Sequence, residues 1–154
     1  MAELISLIVP CYNEEQSLPY FHKEVSAVMD RMNYLDFEII FVNDGSRDGT
    51  LALLRQMAAQ DKRIKYLSFS RNFGKEAAIY AGLQHASGEY VSLIDADLQQ
   101  RPEIVREMVS FLEGNPDYDM VAAYQDRRNE GKVLSFFKKS FYKIINHLND
   151  NSVD

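Results

Sequence analysis

Apolar and polar positions fall along the chain in a repeating two-part rhythm, a short apolar run and then a polar cluster that opens a longer amphipathic stretch. Leu4 to Val9 is a β-rich run stopped by Pro10, which reads as the first, central strand. The polar loop Cys11-Tyr12-Asn13-Glu14-Glu15 then opens a helix predicted to reach about Met32. A second strand, Phe37 to Val42, ends in Asn43-Asp44-Gly45-Ser46-Arg47-Asp48-Gly49-Thr50. Its two glycines permit tight backbone, and Ser46 or Asp48 can cap the helix that carries Leu51, Leu54, Met57 and Ala58 at helical spacing. A third strand, Ile64 to Phe69, leads through Ser70-Arg71-Asn72-Phe73-Gly74-Lys75-Glu76 into an Ala-rich helix over Ala77 to Ala86, closed by Gly88. Tyr90 to Ile94 predicts a fourth strand, Pro102 to Glu113 a helix, and Met120 to Tyr124 a fifth strand after the break at Gly114-Asn115-Pro116. Strand and helix alternate throughout. That predicts an α/β fold, a mostly parallel central sheet with helices on both faces.

The polar clusters after strands one to four should then meet along one edge of the sheet, the edge at which open α/β sheets bind ligands. The fourth cluster is the richest in chemistry. Asp95 and Asp97 stand one residue apart where a strand gives way to a loop, with the amide of Gln99 nearby. Hard oxygen donors this close suit Mg²⁺ or Mn²⁺ shared with a diphosphate. The same two acids would equally serve to solvate a turn and cap the helix at Pro102.

Composition narrows the classes. The chain has 154 residues, 46% hydrophobic and 26% charged, enough for one real core. A single cysteine excludes an intrachain disulfide and fits a reducing compartment. Met1-Ala2-Glu3 carries an acid where a secretory leader is basic, and no stretch approaches the ~18 apolar residues of a membrane span. The net charge of −6 hides a division. Residues 1–126 hold 11 Lys and Arg against 20 Asp and Glu, whereas residues 127–147 hold six against Glu130 alone. An acidic body with a basic tail argues against nucleic acid and for one local anionic partner. His22, His85, His147 and Cys11 form no spaced ligand set and read as structural.

Four blocks, Val9 to Glu15, Asn43 to Thr50, Ser70 to Glu76 and Asp95 to Gln99, resemble the family 2 glycosyltransferases in residues and in order. The likeness is strongest to the polyprenyl-phosphate sugar transferases, the group of dolichyl-phosphate mannose synthase and the bacterial undecaprenyl-phosphate glucosyltransferases. The resemblance implies a GT-A fold, Rossmann-like and nucleotide-sugar-binding, and inversion at the anomeric carbon. Carried over by position, Pro10, Tyr12, Glu14, Asp44, Arg71 and Asp95 would bind the nucleotide sugar. Asp95 and Asp97 would be the catalytic acids, and Asp97, Gln99 and Asp95 would hold the metal. Gln100-Arg101 stands where those relatives usually carry Asp-Pro, which changes the charge beside the metal and leaves its ligands in place. The stretch Ser70 to Ala78 resembles the glucosyltransferase branch, which makes UDP-glucose the first candidate donor.

Because a lipid phosphate acceptor is already anionic, it needs positive charge more than a general base. Arg127, Arg128 and Lys132 fit that need. Val133, Leu134, Phe137, Phe141, Ile144, Ile145 and Leu148 recur at helical spacing opposite Lys132, Lys139 and Lys143. Such a helix could lie in a membrane interface, pack on its own domain or meet a second copy in a homo-oligomer. The expectation is therefore a GT-A core over residues 1–126, and the start of an acceptor- and membrane-facing part over 127–154. Family members continue well past this point, so the chain reads as a catalytic-domain fragment of a cytoplasmic enzyme peripheral to or anchored at the cytoplasmic membrane. A non-catalytic nucleotide-binding or membrane-docking module is the alternative from another class, and transfer to a sugar hydroxyl is the alternative acceptor chemistry. A nucleotidyltransferase or a dinucleotide-binding dehydrogenase would need a Gly-rich loop where Pro10-Cys11-Tyr12-Asn13 stands.

Overall fold

The computed structural model describes residues 3–97 and 101–123. Among these residues eight elements alternate: β1 (Leu4–Cys11), α1 (Leu18–Arg31), β2 (Asp36–Asn43), α2 (Thr50–Gln60), β3 (Ile64–Ser68), α3 (Lys75–His85), β4 (Tyr90–Leu93) and α4 (Ile104–Gly114). All strand pairs are parallel, and the sheet order is β3-β2-β1-β4. β1 and β2 are buried on both faces, which is why each reads as a continuous apolar run rather than an alternation. β1 continues through Pro10 to Cys11, two residues past the predicted stop. The β1–β4 ladder ends at Ile8↔Leu93, so a missing N–H at Pro10 can fall on the open side of the strand.

Each face of the sheet has its own layer. Ile5, Leu7 and Val9 of β1 and Phe37, Ile39 and Phe41 of β2 share a core with Leu18, Phe21, Val25, Val28 and Met29 of α1. Leu54 and Met57 of α2 and Val105 and Val109 of α4 complete that side. Phe21 and Phe41 meet edge to face at 6.0 Å. The other side is covered by α3, whose small residues let it sit close: a Cβ on Gly82 would lie 2.4 Å from Ile8 Cγ2. Ala78 packs there with Ile40 and Val42.

Two expectations at the ends of elements are corrected. Pro102 does not begin α4: it lies in a turn before it, where Val105 N–H donates to its carbonyl at 3.2 Å. The fifth strand expected over Met120 to Tyr124 is not formed by residues 120–123, and Tyr124 lies outside the described residues. Met120 is 79% exposed, and among the described residues no strand pairs with the outer edge of β4 to hold it. Residues 1–121 make one compact unit.

Candidate functional site

With order β3-β2-β1-β4, the chain leaves β1 in one direction through β2 and β3, then returns to place β4 on its other side. The carboxyl ends of β1 and β4 therefore flank a topological switch point, where a crevice opens. A cavity of about 420 Å³ lies there. It is lined from β1 by Pro10, Cys11, Tyr12 and Glu14, from beyond β2 by Asp44, from the β3–α3 connection by Asn72 and Gly74, from α3 by Lys75 and Ala78, and from beyond β4 by Asp95, Ala96 and Asp97. All four loop clusters singled out in the sequence contribute. Its size falls in the range that takes a small organic ligand.

Of the residues expected to bind a nucleotide sugar, Pro10, Tyr12, Glu14, Asp44 and Asp95 line this cavity together, with Asp97 beside them. Arg71 is not in its lining: its guanidinium stacks 4.5 Å over the Phe73 ring. Gln99, Arg127, Arg128, Lys132 and the apolar stripe from Val133 to Leu148 lie outside the described residues. Among the described residues, no group of three or more His, Cys, Asp or Glu side chains is placed to hold a metal. His85 lies on α3 with Nδ1 2.8 Å from the Ala81 carbonyl, and His22 is 4.0 Å from Asp61, both away from the cavity lining.

The loops hold one another in place. Asn13 N–H donates to Ser46 Oγ at 2.9 Å, Glu14 N–H to Thr50 Oγ1 at 2.8 Å and Glu15 N–H to Asp48 Oδ2 at 3.2 Å. In return Arg47 N–H donates to Asn13 Oδ1 and Gly49 N–H to Glu15 Oε2. Ser46 and Asp48, expected as helix caps, thus lace the β1–α1 loop to the β2–α2 loop, and Asp48 also accepts from Thr50 N–H at 3.0 Å. Burial would raise the Asp48 carboxyl, but hydrogen bonds from the Thr50 hydroxyl, the Thr50 N–H and the Glu15 N–H outweigh it and hold it below its ordinary range. The pairing of two polar loops is a tertiary fact that no single loop's sequence carries. Its only signal is the density of Asn, Asp, Ser and Thr in both clusters.

Asp44 ties down the third loop. It is buried, and its two carboxylate oxygens accept from Phe73 N–H at 2.7 Å and Gly74 N–H at 3.0 Å. Gly45 beside it has φ +67°, and a Cβ there would sit 2.2 Å from the Arg71 carbonyl carbon. Across the cavity Lys75 Nζ lies 2.6 Å from Asp95 Oδ1. Glu14 accepts from the hydroxyl of Ser17, three residues on. Burial, then the charge of Glu14, pushes the Cys11 thiol well up, so it is a thiol and not a thiolate nucleophile. A second depression, of about 580 Å³, lies at the opposite end of the strands around Leu4, Asp36 and Arg63. Its cation, Arg63, is already paired with Asp30 and Asp61, and none of the sequence clusters reaches it.

Residues 6–153 match the family described as "Glycosyl transferase family 2". The putative glycosyltransferase CsbB of Bacillus subtilis (strain 168) is 43% identical over 143 residues, which cover 93% of this chain and 43% of that protein. The bactoprenol glucosyl transferase of Shigella phage SfV is 38% identical over 150 residues, 97% of this chain and 48% of that protein. The chain thus spans less than half the length of these two relatives. Among solved structures, the mannosyltransferase PcManGT from Pyrobaculum calidifontis, in complex with GDP-Man and Mn²⁺, superposes with TM-score 0.62 at 25% identity over 73% of this chain and 33% of that one. S. aureus TarS 1-349 in complex with UDP superposes with TM-score 0.60 at 22% identity, over 84% and 40%, and bears on the fold alone. The α/β fold is the GT-A arrangement that the four blocks had implied.

Proposed function

Since the chain belongs to glycosyl transferase family 2, we propose that its cavity is the donor site of an inverting transferase that moves a hexose from a nucleotide sugar to a polyprenyl phosphate. The observation that carries this reading is the convergence of Pro10, Tyr12, Glu14, Asp44, Asp95 and Asp97 on one cavity at the switch point of the sheet. The name of the phage relative supports glucose as the sugar and a bactoprenol acceptor. UDP-glucose is accordingly the first candidate donor.

In this site Tyr12, 45% exposed at the cavity, offers a ring to a nucleobase. Asp44 has each oxygen committed to one backbone N–H, and a carboxylate oxygen can accept more than one bond, so it can hold the loop and still take a base N–H or a ribose hydroxyl. Asp95 and Asp97, the proposed catalytic acids, are oxygen donors at the strand end, and they fit a divalent ion held by one or two carboxylates and by the oxygens of the bound diphosphate. Gln99 would add an amide oxygen. The ion, Mg²⁺ or Mn²⁺, would act as a Lewis acid for the charge that develops on the departing diphosphate. The neighbour with GDP-Man and Mn²⁺ supports that assignment. Arg71 is better read as a stacked flank of the nucleotide loop than as a direct ligand.

Residues 1–126 would form the donor-binding core, and Arg127, Arg128 and Lys132 would meet the acceptor phosphate at the cytoplasmic face of a membrane. The Val133 to Leu148 stripe would lie along that surface. Calorimetry of UDP-glucose, UDP-N-acetylglucosamine and GDP-mannose, each with and without Mn²⁺, tests the donor site. UDP-glucose should bind most tightly and in a metal-dependent way, and Asp97→Asn should lose most of that dependence while the fold stays intact. Equal affinity with and without Mn²⁺ would sink the metal assignment. Because the chain spans less than half of its relatives, release of UDP in the presence of a polyprenyl phosphate is the further measurement. Binding without release would make this chain a donor-binding module.

A further inference from the structure

We propose that Lys75 is a switchable counter-ion, which holds Asp95 in the ligand-free protein and passes to the donor's diphosphate when a divalent ion takes Asp95. The inference deepens the donor-site reading and rests on it. Four acidic side chains, Glu14, Asp44, Asp95 and Asp97, line the cavity, and among the described residues Lys75 is the single cation in that lining. A nucleoside diphosphate brings further negative charge into the same space, so whatever positive charge the protein supplies there matters.

Two features make Lys75 the group that can move. First, its contact with Asp95 joins the start of α3 to the end of β4, and both partners are open to water: 56% of the Lys75 side chain and 36% of Asp95 are exposed. An ion pair this accessible is held by little net free energy and exchanges easily for another anion. Second, two other positive features near the cavity already have partners among the described residues. The N–H groups of Phe73 and Gly74, at the positive end of α3, already donate to Asp44, and Arg71 is stacked on Phe73. The Lys75 ammonium, on a flexible four-carbon stem with three donors, gives one to Asp95 and can swing without disturbing a loop.

The exchange makes the order of binding visible in equilibrium constants. Without diphosphate, the metal must displace Lys75 from Asp95. With it, Lys75 has an alternative anion and Asp95 is released, so metal and nucleotide favour each other by the same factor in both directions. The full 154-residue chain is titrated with Mn²⁺, followed by the electron paramagnetic resonance of the free ion, and then with UDP at saturating Mn²⁺. Lys75→Gln should bind Mn²⁺ alone about two- to five-fold more tightly, the worth of one exposed ion pair. The same variant should bind UDP about ten-fold more weakly, the loss of one charge-assisted contact. Lys75→Arg should lie near wild type in both. A lysine that merely braced the fold would move both affinities down together, not in opposite directions. Wild-type binding of Mn²⁺ and UDP with either affinity unchanged in Lys75→Gln, or with Mn²⁺ bound more weakly, overturns the switch alone. A wild-type chain that binds neither Mn²⁺ nor UDP overturns the donor-site reading and the switch with it.

Discussion

Among the described residues two lysine–carboxylate pairs are of nearly equal length, one inside the sheet and one beyond its carboxyl edge, and they do different work. At the carboxyl edge, Lys75 meets Asp95 at 2.6 Å in an open cavity. Farther back along the strands, Lys65 of β3 meets Glu38 of β2 at 2.5 Å, but there the carboxylate is buried, with 5% of its side chain exposed. Glu38 also accepts from Ser6 Oγ at 2.5 Å, from Ser87 N–H at 2.7 Å and from Ser87 Oγ at 3.3 Å. Ser6 Oγ in turn accepts from Gly88 N–H at 2.8 Å, so three strands and the α3–β4 connection close on one acid. What separates the pairs is therefore not distance but the number of donors and the access of water. A carboxylate with every lone pair committed is a structural fastening, and one held by a single mobile ammonium is available to a ligand.

The sharpest way to break that contrast is at Glu38. Glu38→Ala should lower the free energy of unfolding by about 2–4 kcal/mol in urea titrations, because Ser6 and the Ser87 amide lose a buried acceptor. UDP affinity measured on the remaining folded protein should be unchanged. The pH dependence gives a second reading. Burial would raise the Glu38 pKa, but the hydrogen bonds from Lys65, Ser6 and Ser87 and the charge of Lys65 outweigh it and bring it down to about 2, from an ordinary 4.5. A folded pKa below the unfolded one means the carboxylate stabilises the fold fully above pH 4.5, and that stabilisation is lost as the pH falls towards about 2. The shift corresponds to about 3 kcal/mol. The stability gap between wild type and Glu38→Gln should therefore narrow across that window. A gap that stays constant from pH 6 to pH 2.5 would deny Glu38 its role.

How much of this was legible in the sequence follows the same division. The strand-helix alternation, the central place of β1 and the gathering of four polar loops at one edge all come from local pattern, and the structure has them. Glu38 sits inside the apolar run Phe37 to Val42, where a single acid carries no pattern of its own. Its meaning lies in register: Ser6 is its partner across β1, and Lys65 stands one strand over beside Ile40. Asp44 was legible as a site residue, but its hold on Phe73 and Gly74, twenty-nine and thirty residues away, was not. Capping is the local habit of Ser46 and Asp48, but a facing loop claims Ser46, and it shares Asp48 with the first N–H of α2. The fifth strand failed for the converse reason: a suitable local pattern found no neighbouring strand among the described residues.

Gly45 tests whether the cavity loops need their close approach. Its φ of +67° and the 2.2 Å and 2.5 Å distances from a Cβ to Arg71 C and Asn72 N leave nowhere for a methyl group to go, since both neighbours are backbone. Gly45→Ala should cost about 2 kcal/mol in urea unfolding. It should also push the 71–74 segment away from Asp44 and weaken UDP binding, a joint loss that Glu38→Ala should not show. An unaltered UDP affinity in a destabilised Gly45→Ala would mean that the loop spacing serves folding alone.

The smallest expected effect is the most discriminating, because it compares the two lysines directly. Lys65→Ala removes the cation from a buried carboxylate that keeps only its neutral donors, Ser6 and Ser87, and should cost about 1–3 kcal/mol of stability. Lys75→Ala removes a contact of nearly the same length from Asp95, more than a third of which is exposed, so water can take the place of the ammonium. Its cost should stay below about 1 kcal/mol, and salt should shrink it further, since a pair with both partners exposed is screened more than one whose carboxylate is buried: Lys65 is 55% exposed but Glu38 only 5%. Urea unfolding of the two variants at low and at high salt makes the measurement. If Lys75→Ala proved as destabilising as Lys65→Ala and as insensitive to salt, the pair at the cavity would be a fastening like the other. Lys75 would then not be free to leave Asp95 for a ligand.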